Sequence, residues 1–126
     1  MTIIGTWGIK YQKEIAKAEL ENFKNEIQSI LNKNQNVFIV GDFNTSFIEN
    51  ELRQLPTIKS RNELLKFTND YCIIRAIEQI DNCIDHIFIS SNLFKEISFE
   101  TFTFLDNTIL KDNPHKGVGV EFFLVR

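Results

Sequence analysis

The fold and the candidate site are both indicated by one apolar stretch that ends in polar residues, Val37-Phe38-Ile39-Val40-Gly41-Asp42-Phe43-Asn44-Thr45. Four apolar residues in a row, ended by Gly41, are too few for a helix and predict a buried strand. Asp42 and Asn44 then lie where the strand opens into a loop. In layered α/β folds ligands collect at such strand ends, because a rigid strand positions a loop that is free to carry polar groups. The alternative is an ordinary strand-ending turn, in which Asp and Asn are also favoured.

The residues before this stretch predict a strand followed by a helix. Residues 2–7 predict a short strand. From residue 14 to residue 31, apolar residues recur every three or four positions, which predicts an amphipathic helix. Two strands joined through a helix usually pair in parallel with a right-handed crossover. The strand over residues 37–40 is therefore expected to lie beside the first strand.

The residues after this stretch predict shorter elements. Residues 49–55 predict a short helix stopped by Pro56, and residues 60–67 predict a helix that begins with a Ser60–Glu63 capping box. Strands are predicted over residues 71–76, 84–89, 98–104 and 118–125. The total is about six strands in a mixed sheet and two or three helices, an α/β fold of the α+β type, without a linker that would divide domains.

The composition restricts the classes of function. Twelve Phe residues stand against two Tyr and one Trp, and most Phe rings are expected to be buried because they carry no polar group. A net charge of −3 and a pI near 5.4 disfavour tight non-specific binding of nucleic acid, but allow an enzyme that contacts a few phosphates. No apolar run approaches the roughly 18 residues that cross a bilayer, so membrane insertion is not expected.

Cys72 and Cys83 are not in a C-x-x-C pair, and no secretory signal is visible. This favours reduced thiols and a cytoplasmic location, although a disulfide between the two remains an alternative.

Two later patches also combine polar residues with a strand. In residues 84–90, Asp85 lies in an apolar strand, where a charge needs a partner: it can orient an imidazole or cap a backbone group. His86 points to the opposite face of a regular strand and is expected to be structural or exposed. In residues 112–117, His115 lies on a loop before the last strand, which suits proton transfer or phosphate stabilisation, unless it is an ordinary surface residue.

These patches resemble, in the same order, motifs of the endonuclease/exonuclease/phosphatase superfamily of metal-dependent phosphodiesterases. The run Gly41-Asp42-Phe43-Asn44 resembles the Gly-Asp-hydrophobic-Asn motif of that family. Residues 84–90 resemble its Ile-Asp-Tyr-hydrophobic strand, with His86 at the Tyr position. His115 and residues 118–122 are similar to its final Ser-Asp-His motif and closing strand.

The resemblance implies half of a four-layer β-sandwich with flanking helices, and hydrolysis of a phosphate ester, nucleic acid included, assisted by Mg²⁺ or alternatively Mn²⁺. Asp42 would orient or deprotonate the attacking water, and Asn44 would hold that water or a phosphate oxygen. Asp85 would accept a hydrogen bond from His115, which would stabilise the pentavalent phosphorane. The substrate class, whether DNA, RNA, inositol phosphate or lipid phosphodiester, is not indicated.

The sequence departs from the family pattern at several positions. Trp7 stands where the family strand often ends in His, and Pro114 stands where the family has Asp before its final His. Asp112 is the nearest acid. The metal-binding Glu of the family belongs to an N-terminal half with no counterpart here, which leaves Asp42 and Asp112 as weak candidate metal ligands. Residues 1–126 are expected to form one partial domain.

Half of a sandwich is expected to leave an apolar sheet face uncovered, with consequences for stability and partners. The candidate residues for this face are Phe99, Phe102, Phe104, Phe122 and Leu124. We expect self-association through it, pairing with a separate N-terminal fragment, or marginal stability. Two alternatives to an active phosphoesterase remain: a catalytically inactive relative that serves as a binding module, and an unrelated small α/β domain.

Overall fold

The computed structural model describes residues 2–6, 13–34, 36–51, 55–80, 83–95, 97–104 and 117–125. Its elements in chain order are β1 (Thr2–Thr6), α1 (Lys13–Leu31), β2 (Val37–Asp42), α2 (Leu55–Asp70), β3 (Ile73–Arg75), β4 (Asp85–Ser90), β5 (Ile97–Phe104) and β6 (Gly117–Leu124). Short 3₁₀ helices cover Glu49–Glu51 and Ser91–Lys95. The α/β fold class predicted from the sequence is confirmed.

The first sheet has four strands in the order β1-β2-β4-β3. β1 and β2 are parallel, with Thr2 opposite Val37, so the predicted strand–helix–strand unit is confirmed. β4 runs antiparallel to both β2 and β3. The two remaining strands, β5 and β6, pair antiparallel in a second sheet, so the described strands divide between two sheets rather than forming one.

The two faces of the first sheet are covered by different layers. The face that carries Val37, Ile39 and Phe88 packs against buried residues of the two helices, which are Leu20, Ile27, Leu64 and Phe67. The other face carries Phe38, Ile87 and Ile89, and Val118 and Val120 of β6 pack against it. Helices, a four-stranded sheet and a two-stranded sheet therefore form three successive layers.

The second sheet exposes several of its aromatic rings. Phe102 lies directly opposite Gly119, and Phe104 opposite Gly117. Each ring covers its glycine so closely that a Cβ atom added at Gly119 would lie 2.3 Å from a carbon of the Phe102 ring. Both rings are 50% exposed, and Phe123 is also exposed. The expectation that most Phe rings are buried is wrong here, because the described residues place no layer over this side of the sheet.

Helix α2 differs from its predicted form. It begins at Leu55 and continues through Pro56, so this proline lies in the first turn and does not stop a helix. A first-turn proline is tolerated, since the N–H that it lacks would have no partner inside the helix. Ser60 and Glu63 lie within the helix, and the predicted capping box is wrong because the helix starts five residues earlier, at Leu55. Glu63 instead accepts a hydrogen bond from Lys24 of α1 at 3.0 Å, which links the two helices.

The described residues contain no helix with the length and apolar character needed to cross a membrane. Neither cysteine takes part in a disulfide, and Cys72 is exposed whereas Cys83 is buried. The cytoplasmic location stays a prediction.

Candidate functional site

Two carboxylates meet where β2 ends and β4 begins. Asp42 is the last residue of β2 and lies directly opposite Asp85, the first residue of β4. Residues directly opposite in an antiparallel pair project to the same face, with Cβ atoms about 4.5–5.5 Å apart. By strand alternation, this is the face on which Phe38 and Ile87 contact the second sheet. Both residues are half-buried, and Asp42 closes the strand rather than following it as predicted.

Asn44 lies in a tight turn beside Asp42. Its backbone N–H donates a hydrogen bond to Asp42 Oδ1 at 2.8 Å, and its φ of 48° is in the left-handed region that Asn tolerates better than most residues. Between them, the Phe43 N–H donates to the Ile84 carbonyl at 2.9 Å. The Phe43 ring is fully buried against Phe23 and Phe88. The turn therefore fixes the orientation of the Asp42 carboxylate and places the half-buried Asn44 next to it.

His86 lies on the opposite face of β4, beneath the same loop. It is 1% exposed, and its Nε2 is 2.6 Å from the carbonyl oxygen of Thr45. Burial lowers the pKa of His86 from 6.5 to about 4, against smaller opposing effects of the Thr45 hydrogen bond and the charges of Asp42 and Glu78. His86 is therefore neutral at pH 7 and structural, one of the two roles expected from the sequence, and it is not exposed.

A half-buried arginine, Arg75, lies beside Phe47 in the loop that follows Asn44. It was not singled out from the sequence. Arg75 donates to Glu78 Oε2 and to Thr68 Oγ1, each at 2.6 Å, and its guanidinium lies 5.8 Å from the centre of the Phe47 ring. The Phe47 ring in turn contacts the imidazole of His86, with centroids 4.6 Å apart. An Arg at a strand end carries no sequence signal for this role, because its partners come from separate elements.

The other predicted site residues, His115 and Asp112, lie outside the described residues, as do Trp7 and Pro114. The nearest described position is Gly117, which begins β6. Val118 of that strand packs in the cluster that contains Ile87, on the face of β4 that also carries Asp85. The structure thus brings together Asp42, Asn44 and Asp85, and leaves the role of His115 as a prediction.

The chemistry of the described donors suits part of a magnesium site. Asp42 supplies a carboxylate, the hard oxygen ligand that Mg²⁺ prefers, and this ion usually takes one or two carboxylates and keeps several waters. Among the residues that the structure describes, no group of three or more His, Cys, Asp or Glu side chains could hold a metal ion. Asp42 alone would not fill the coordination sphere of the ion, so water and substrate would have to supply further ligands.

Solved structures provide two comparisons of the fold. A 3′-5′ exonuclease, NExo, from Neisseria meningitidis superposes with a TM-score of 0.70 at 13% identity, over 95% of this chain and 60% of that one. A variant of the 3′ phosphatase NExo from Neisseria, bound to product DNA hairpin, gives a TM-score of 0.68 at 10% identity, over 96% and 60% of the two chains. The chain thus spans about 60% of the length of these neighbours.

Sequence comparisons provide the family. No match was found among the curated proteins. The model of the Endonuclease/Exonuclease/phosphatase family matches residues 14–107, which is more than half of the chain and includes Asp42, Asn44 and Asp85. The resemblance seen in the motifs is confirmed: this chain belongs to the Endonuclease/Exonuclease/phosphatase family.

Proposed function

We propose that this chain carries the water-activating part of a phosphate-ester hydrolase that works with Mg²⁺ or Mn²⁺, as one partial domain over residues 1–126. The main support is the pairing of Asp42 with Asp85 across two strands, beside the turn that contains Asn44. Membership of a family of nucleases and phosphatases supports a hydrolytic reaction.

In the proposed mechanism, Asp42 orients the attacking water and accepts its proton. The hydrogen bond from the Asn44 N–H holds one oxygen of the Asp42 carboxylate, which sets the direction of the other. The Asn44 side chain holds the water or a phosphate oxygen. The water oxygen forms the new bond to phosphorus in line with the ester oxygen that departs. Mg²⁺, when bound, would neutralise phosphate charge during this step.

The second carboxylate acts through an imidazole in this mechanism. Asp85 accepts a hydrogen bond from His115, and the imidazole stabilises the charge that develops on the phosphorane oxygens. Asp42, with Asp112 as a further candidate, would contribute oxygen ligands to the metal ion. His86 takes no part in this mechanism, because it is buried on the opposite face of β4 with its Nε2 bonded to the Thr45 carbonyl.

We propose a nucleic acid terminus as the substrate. The support is the structural neighbour whose bound molecule is a product DNA hairpin. The acidic pI near 5.4 argues for contact with a few phosphates rather than with a long polyanion.

The test combines metal binding with hydrolysis. Mg²⁺ and Mn²⁺ are titrated into the purified chain by NMR, and hydrolysis is followed with bis(p-nitrophenyl) phosphate and with an oligonucleotide that ends in a 3′ phosphate. Asp42→Asn is expected to lose millimolar binding and at least a hundredfold in activity, as expected for loss of a base and ligand. Glu100→Gln, an exposed acid on β5, is the matched control and is expected to change neither. A folded wild-type chain that binds neither ion would contradict the proposal.

A second candidate function, an interaction module without catalysis, is favoured by the exposed face of the second sheet. Phe102 and Phe104 are each 50% exposed on its outer side, and Phe123 on the same side is 41% exposed. On the same outer side, Glu100 lies directly opposite Glu121, and both are exposed. Two carboxylates that face each other repel. A second copy of this chain on the same face would bring two more carboxylates, whereas a basic apolar segment would offset the negative charge of the pair. We therefore favour a separate partner over self-association.

Sedimentation and dye binding test this second candidate. The expected result is a chain that binds a hydrophobic dye, with binding reduced by at least half in a Phe102→Ser, Phe104→Ser double variant. Low dye binding by the wild-type chain would refute an exposed docking face. A concentration-dependent dimer that the double variant abolishes would show self-association instead.

A further inference from the structure

The hydrogen bonding of His86 defines which of its nitrogens carries the proton. Its Nε2 is 2.6 Å from the Thr45 carbonyl oxygen, which can only accept a hydrogen bond. Its Nδ1 is buried and has no hydrogen-bond partner among the described residues. A neutral imidazole has one donor nitrogen and one acceptor nitrogen, so the proton lies on Nε2 and is donated to Thr45.

His86 lies between the strand that carries Asp85 and the loop that carries Asn44. It follows Asp85 in β4, lies opposite Gly41 of β2, and projects to the other face of the sheet. From there its ring reaches the carbonyl of Thr45, the residue after Asn44. One side chain thus joins the strand that carries Asp85 to the loop that carries Asn44.

The surroundings of the His86 ring leave it little freedom. Its ring centroid lies 4.6 Å from that of Phe47, 6.0 Å from that of Phe88 and 6.1 Å from that of Phe43. Aromatic neighbours on several sides restrict rotation of the imidazole, and the hydrogen bond to Thr45 then restricts the loop.

We propose that His86 is a positioning residue: through its Nε2–H donor it holds the Thr45 carbonyl and keeps Asn44 beside Asp42 and Asp85. The left-handed backbone of Asn44 costs energy, and it persists only where surrounding contacts hold it. The hydrogen bond from His86 is one such contact, together with the turn to Asp42 and the buried Phe43 ring. The catalytic meaning of this role rests on the proposed function, whereas the positioning itself does not.

Amide hydrogen exchange measured by NMR tests the positioning without any activity. His86→Phe keeps an aromatic ring and removes the donor, while His86→Gln retains an N–H near the Nε2 position. In His86→Phe, the amides of Phe43 and Asn44 are expected to exchange at least ten times faster relative to the sheet amide of Ile39. In His86→Gln, this increase is expected to be smaller. Phe67→Leu, in the helix-side core, is the control for general destabilisation and is expected to leave the ratio unchanged.

Two results of the exchange experiment would overturn the proposal. One is an unchanged exchange ratio in His86→Phe, and the other is the same rise in Phe67→Leu. Should His86→Phe not fold, nitrogen-15 shifts of the wild-type imidazole decide: protonation at Nε2 is expected, and protonation at Nδ1 refutes the argument. Absence of hydrolysis in every variant, wild type included, would count against the proposed function and not against these local measurements.

Discussion

Replacing Phe43 by alanine tests whether the middle residue of the Asp42–Asn44 turn anchors the core. Phe43 is among the largest fully buried side chains, at 1% exposure. Its ring packs edge-on against Phe23 with centroids 5.5 Å apart, and against Phe88 with centroids 4.7 Å apart. Truncation of a buried Phe to Ala costs about 3–5 kcal/mol, from lost transfer free energy and the cavity that remains.

This cost of a buried Phe→Ala change is large relative to the free energy of unfolding of a small domain, which is about 5–15 kcal/mol. We expect Phe43→Ala to lower the free energy of unfolding by about 4 kcal/mol, near the middle of the range for buried Phe. Phe102→Ala is the matched control, because it removes the same atoms from a ring that is 50% exposed. Substitutions of exposed residues usually change the free energy of unfolding by less than about 0.5 kcal/mol. Because the Phe102 ring also covers Gly119, we expect Phe102→Ala to lower it by about 1 kcal/mol or less.

Urea denaturation followed by circular dichroism measures both variants under one condition. If Phe43→Ala does not fold, Phe43→Leu is used instead, with an expected loss of about 1–2 kcal/mol. Equal losses in the Phe43 and Phe102 variants, or a Phe43→Ala loss below about 1 kcal/mol, would refute this assignment of the core.

Three further predictions concern the backbone and the buried imidazole. Asn44→Ala is expected to destabilise the chain by about 1 kcal/mol and Asn44→Gly by little, because glycine adopts the φ of 48° without strain; thermal unfolding of both variants measures this. Cys72 has a φ of 51°, so Cys72→Gly is expected to raise the free energy of unfolding by up to about 1 kcal/mol. The urea midpoint measures this, and a lower midpoint would contradict backbone strain at Cys72. The pKa of His86 is about 4 in the folded chain and 6.5 in the unfolded chain, so only the unfolded chain takes up this proton as the pH falls from 6.5 towards 4. We expect the free energy of unfolding to fall by up to about 3 kcal/mol over this pH range, with no such fall above pH 6.5 or in His86→Phe. Urea denaturation from pH 7 to pH 4.5 measures this, and the same pH dependence in wild type and His86→Phe would disprove it.

The local elements were predictable because their signals are local. The apolar run before Gly41 and the three- and four-residue spacing before Leu31 lie within single elements, so no distant contact is needed to recognise them. Helix α2 was less predictable, since Pro56 is compatible with either the end or the first turn of a helix. Its start therefore depends on the residues against which the helix packs.

The members of the candidate site are a prediction from the sequence, and the sequence did not indicate their geometry. The motif Gly41-Asp42-Phe43-Asn44 and the position of Asp85 were singled out through the family resemblance; the family model confirms the family, and the roles of these residues stay a prediction. That Asp42 lies directly opposite Asp85 follows from the register of two strands that are distant in sequence. Register of this kind is decided by which faces are buried, and not by the residues of either strand alone.

The sequence by itself determined the order of strands and helices and the residue types at the site, because periodicity and short motifs are properties of neighbouring residues. Only the tertiary structure decided that His86 is buried and donates to Thr45, and that Phe102 and Phe104 are exposed. The alternating pattern of β5 is compatible with either face being covered, whereas β4 is buried on both faces. Which face is buried depends on the layers that pack against each sheet, and those layers come from other parts of the chain.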